Sequence, residues 1–125
     1  MEYKLIIIGK LPGLNEYTAA NRTHPKEGGR MKKDAEEAVI WPIRQQLRGI
    51  HITKPVLLKY NFYEPNRKRD LDNISSFAHK VIQDSLVKTG VLANDGWKEI
   101  VGFLDQFYCD PEYPRIEVTI KEVGD

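Results

Sequence analysis

The spacing of apolar positions changes several times along the chain, and each change marks a new element. Tyr3 to Gly9 is a run of Ile and Leu that reads as a buried strand. From Leu11 to Gly29 the apolar pattern disappears. Pro12, Gly13, Pro25, Gly28 and Gly29 punctuate that stretch, so a long polar loop is expected there. Period 3.6 then takes over from about Met31 to Arg48. Ala35, Ala38, Val39, Ile43, Leu47 and Ile50 fall on one face, and Gly49 is a suitable stop. Pro42 lies inside this helix and should kink or split it.

Pro55 to Glu64 alternates, with Val56, Leu58, Tyr60 and Phe62 on one side, as in a strand with one face in the core. A second helix is expected from about Asn73 to Lys88. Ile74, Phe77, Ala78, Val81, Ile82 and Ser85 form its inward stripe, and Gly90 ends it. Two more strands, about Glu99 to Cys109 and Arg115 to Val123, are expected to be joined by a hairpin-like loop at Asp110 to Pro114. The order is strand, helix, strand, helix, strand, strand. It predicts an α+β (mixed α/β) fold, with about four strands in a mixed sheet and helices packed on it.

Composition narrows this only a little. At 125 residues the chain fits one domain, spanning 1–125, with a small core that an oligomer interface would help to cover. Hydrophobic residues at 41% and charged residues at 30% exclude a disordered chain. The net charge of +1 is not that of a strongly basic domain, but the charge is local. Arg22, Lys26, Arg30, Lys32 and Lys33 face a single acid, Glu27, within one stretch; Arg67, Lys68 and Arg69 form a second run. Cys109 is the only cysteine, which excludes an internal disulfide and a cysteine-based zinc site; its apolar surroundings suggest a core residue. His24, His51 and His79 are not spaced as a ligand cluster and are expected at the surface or in loops. Met1 to Gly9 is too short an apolar run for a secretory signal, and no stretch approaches a membrane span. A cytoplasmic protein is expected.

The chemistry concentrates in Arg67-Lys68-Arg69-Asp70-Leu71-Asp72-Asn73. In extended backbone, residues two apart point the same way, so Asp70 and Asp72 would share one spot with Leu71 turned to the core. Two such carboxylates repel unless a cation lies between them, and Mg²⁺ suits hard oxygen donors. Asp95, in Asn94-Asp95-Gly96, offers a third carboxylate if the chain folds back along the helix. A purely structural role stands beside this one. Asp72 would cap the helix, Asp70 would favour its dipole, and Asp95-Gly96 would be a turn.

Arg69-Asp70-Leu71-Asp72-Asn73, an amphipathic helix, and then Asn94-Asp95-Gly96 before a strand resemble the RusA-like Holliday junction resolvases. The opening Leu11-Pro12-Gly13-Leu14-Asn15-Glu16-Tyr17 is also similar to that family's early loop. The resemblance implies that Asp70, Asp72 and Asp95 are the catalytic, metal-binding carboxylates and that Mg²⁺ is the cofactor, with no organic cofactor. It implies a homodimer that resolves branched DNA, a four-way junction above all, by paired phosphodiester hydrolysis during recombination and repair. Such proteins sit in bacterial cells and often in phages and prophages.

The family commonly carries a catalytic lysine four residues after the second aspartate, where this chain has Ser76. Lys80, one turn further on, is a candidate substitute, and Lys68 or Arg69 could also supply the charge. Asn15, Arg22, Lys26, Arg30, Arg67, Lys68 and Arg69 are expected at the DNA, with binding that weakens as salt rises. Tyr17 either contacts the junction or packs within its loop. The Ser76 departure leaves one alternative, a junction-binding protein with weak or no catalysis. A haloacid dehalogenase-like phosphatase is disfavoured, because its Asp-x-Asp follows the first strand.

Overall fold

The computed structural model describes residues 1–124. Its elements are β1 (Glu2–Ile8), α1 (Leu14–Thr23), α2 (Pro25–Gln46), β2 (Val56–Glu64), α3 (Leu71–Lys88), β3 (Ile100–Cys109) and β4 (Arg115–Glu122). The strands form one sheet in the order β1-β4-β2-β3. β4 runs antiparallel to both β1 and β2, whereas β2 and β3 are parallel. The expected α+β class and four-stranded mixed sheet are present.

Alternation explains the sheet. In β2, Val56, Leu58, Tyr60, Phe62 and Glu64 are buried while the residues between them are only partly covered. Leu5, Ile7, Ile116, Val118 and Ile120 continue that buried face. Against it lies α3, whose Ile74, Phe77, Ala78, Val81, Ile82, Ser85 and Leu86 are buried, and α2 adds Ala35, Val39 and Ile43. Each fully buried Val, Leu or Ile contributes about 1.5–3 kcal/mol. The core is therefore a single layer between one sheet face and the helices.

Several expectations give way. The stretch from Leu11 to Gly29 is not a loop: it holds α1 and the first turn of α2. The break between the two helices is His24, held extended before Pro25, with its Nδ1 accepting from the Lys26 N–H at 3.1 Å. Gly28 lets them meet closely, because a Cβ there would overlap the Asn21 side chain. Pro42 does not split α2. The carbonyl it leaves unbonded, that of Ala38, belongs to an exposed residue, so the loss falls on the wet side. β3 and β4 do not form a hairpin, since β2 lies between them. Cys109 is exposed rather than in the core.

Candidate active site at the start of the third helix

Helix α3 begins one residue after Asp70, not at Asn73. Asp70 is its N-cap, with Oδ1 accepting the Asn73 N–H at 2.9 Å. Leu71 and Asp72 are thus helical, and Leu71 is exposed rather than turned to the core. The two carboxylates converge by another route, from the cap and the first turn of one helix. They share a depression of about 490 Å³ with Leu14, Asn15, Leu71 and Asn73. Both stand at the positive end of the α3 dipole.

Asn73 assembles this corner. Its Oδ1 accepts the Asn15 N–H at 2.8 Å and so satisfies a free donor in the first turn of α1. Gly13 makes the approach feasible, because a Cβ there would stand 2.6 Å from the same oxygen. The starts of α1 and α3 are thereby locked together. Tyr17, one turn along α1, stacks on Phe77 with ring centroids 4.4 Å apart and so packs α1 against α3.

Arg69 is the second organiser. It donates to both oxygens of Glu64 at 2.9 Å each and to the Leu11 carbonyl at 3.0 Å, and it lies 3.6 Å from Glu16. Its side chain is 12% exposed and that of Glu64 is 7% exposed. The Arg69 guanidinium, expected at DNA phosphates, here ties the end of β2 to the turn before α1. Neighbouring Arg67 and Lys68 are exposed and make no ion pair among the described residues. Asn15 lines the depression. Arg22 ends α1 and Lys26 begins α2, both exposed, while Arg30 lies 3.4 Å from Glu27.

The other two expected site residues lie elsewhere. Lys80 is eight residues past Asp72, roughly 12 Å along the helix. It is exposed and 3.6 Å from Asp84. Asp95 is exposed in a separate depression with Gln83, Gly96, Trp97 and the first residues of β3. That depression belongs to the far part of α3, an 18-residue helix whose length is roughly 27 Å. Accordingly, no group of three His, Cys, Asp or Glu side chains able to hold a metal occurs among the described residues. The donor chemistry of Asp70 and Asp72 nevertheless fits Mg²⁺, which binds through one or two carboxylates.

Sequence reasoning missed Asn73, Glu64 and His79. The histidine is not at the surface: its Nε2 is 2.7 Å from Asp105 on β3, and its ring packs 4.6 Å from Tyr60 and 4.5 Å from Phe103. The His at one-turn spacing on the inner flank of α3 was the available signal.

The fold is a mixed sheet with helices on one face and an Asp-x-Asp at the start of the helix that crosses from β2 to β3. The model of the endodeoxyribonuclease RusA family matches residues 16–121, and the chain belongs to that family. No curated protein matches it.

Proposed function

We propose that the chain is a divalent-metal-dependent endonuclease that cuts Holliday junctions and related branched DNA, working as a homodimer in the bacterial cytoplasm, encoded by a phage or prophage. Family membership supports the endodeoxyribonuclease activity. The observation that carries the paired-centre reading is the placement of the acids at opposite ends of an edge strand. β3 pairs only with β2 and exposes Val101, Phe103, Leu104 and Tyr108. Its last residues, Tyr108 and Cys109, share a depression with Arg67, Arg69 and Asp70. Its first residues share one with Asp95. A second copy laid antiparallel along β3 about a two-fold axis brings its Asp95 end to the Asp70 end of the first. Each reaction centre then takes Asp70 and Asp72 from one subunit and Asp95 from the other.

Asp70, Asp72 and the partner's Asp95 would hold the divalent ion, which would supply positive charge to polarise the phosphate and activate water. The residues do the remaining work. Asp70 is oriented by its bond to the Asn73 N–H, and it lines the depression with Asp72. Asp72 is available to take a proton from the attacking water. Arg67 and Lys68, exposed beside the acids, bind flanking phosphates. Two centres related by the axis suit the paired cuts that a four-way junction needs.

A second reading, a junction-binding protein with weak catalysis, is favoured by one observation. Ser76 stands where the family has lysine, and Lys80 is a full turn further along the helix and beside Asp84. Incubating the protein with a synthetic four-way junction and Mg²⁺ separates the two. The proposal expects paired nicks leaving 5′-phosphates, abolished by Asp72→Asn. Tight junction binding without cuts would establish the second reading.

A further inference from the structure

A concavity separate from the Asp70–Asp72 depression lies where α2 and α3 both end. It measures about 570 Å³ and is lined by Trp41, Ile43, Arg44, Leu47, Arg48, Ile50, His51 and Val91 among others. This is the size range of small-ligand sites. Its floor is apolar, with Ile43, Leu47 and Val91 buried. Its rim is cationic, and no carboxylate lines it. Arg44 and Arg48 form no ion pair among the described residues, in contrast to Arg69 and Arg115, whose guanidinium groups are held by carboxylates.

Two further features give the pocket a shape. Trp41 is 67% exposed on the surface of α2, a large apolar ring with a free face. His51 is fixed by a 2.8 Å bond to the Gly90 carbonyl. A carbonyl only accepts, so Nδ1 carries the proton and the other ring nitrogen, Nε2, is left without a partner. Gly49 and Gly90, both at positive φ, turn the chain sharply at the two helix ends and so frame the opening.

The geometry points to a binding site for an unpaired nucleotide of single-stranded DNA, its base against Trp41 and the apolar floor and its phosphates on Arg44 and Arg48. The choice of nucleic acid rests on the nuclease reading. The choice of a single strand rests on the pocket itself, because only an unstacked base presents a flat face to Trp41, and aromatic stacking of this kind is tolerant of sequence. Val91 belongs to this pocket, and the chain leaving it leads within four residues to the acid of the Asp95 loop.

The test needs no metal and no cleavage. An eight-nucleotide oligothymidylate is titrated into the protein, following tryptophan fluorescence and, with a labelled strand, anisotropy. Quenching is expected in the wild type and should be lost in Trp41→Phe. Arg44→Gln/Arg48→Gln should weaken binding about tenfold and flatten the salt dependence by about 1.4 in log–log slope, at about 0.7 per phosphate. The titration involves no scission, so a protein that failed to cut junctions would still give this result. Unchanged quenching in Trp41→Phe, or equal affinity in the double arginine variant, would overturn the assignment. So would a glutamate-rich peptide that binds here in preference to the oligonucleotide.

Discussion

The two edges of the sheet are treated differently. On the β1 side, Gln46 from the last turn of α2 reaches over and bonds Ile6 twice, accepting from its N–H at 2.7 Å and donating to its carbonyl at 2.8 Å. A side chain thus stands where a further strand would pair. On the β3 side nothing comparable is present among the described residues, and Val101, Phe103 and Leu104 are each about half exposed. Trp97, just before the strand, is 97% exposed. Bare apolar edges invite association, and proteins that do not use them usually blunt them. This contrast within one sheet is the ground for placing the proposed dimer at β3.

The strongest way to break the comparison is to charge the bare edge. Val101→Lys/Leu104→Lys should convert a dimer to monomers in analytical ultracentrifugation and lower junction cleavage by about a hundredfold or more, with like charges facing each other across the axis. A monomer that still cuts at full rate would place the complete centre within one chain. Mixing provides a sharper version. Asp72→Asn and Asp95→Asn should each be inactive alone. Subunit exchange between them should restore about a quarter of the wild-type nicking rate, because half the dimers are mixed and each has one intact centre. No recovery after verified exchange would mean that Asp95 does not act across the interface.

Arg69→Ala examines the support beneath the acidic end of β3. Leaving Glu64 buried without its partner should cost about 3–5 kcal/mol in urea unfolding. A loss below about 1 kcal/mol would show that the pair is dispensable to the fold. The smallest effect belongs to the covered edge. Gln46→Ala should cost about 1 kcal/mol and leave cleavage and the association state unchanged, since water can replace its bonds to Ile6.

How much of this was legible in the sequence follows from the range of the interactions involved. β2 and α3 were legible because their patterns are local: alternation for one, a buried stripe for the other. α1 was not, because it has no buried residue and its first turn is completed by Asn73, 58 positions away. The supposed β3–β4 hairpin failed for a related reason. β4 inserts between β1 and β2, and no short segment records that pairing. At the site, the aspartates were found but their backbone was not. Asp70 rather than Asp72 caps the helix, so their convergence is helical and not extended. The fate of Arg69 was hidden in Glu64, whose place on the buried face of β2 becomes visible only once a buried cation is known to meet it.

The length of α3 has a consequence for the products. Asp95 shares its depression with Gln83, thirteen residues along the chain from Asp70, a span of roughly 20 Å. In the proposed pair the same span becomes the distance between the two scissions, so the helix acts as a ruler laid across the branch point. Adding or deleting one turn would respace both incisions together by about 5 Å, and a fixed gauge of this sort keeps the two nicks symmetric whatever sequence the DNA carries.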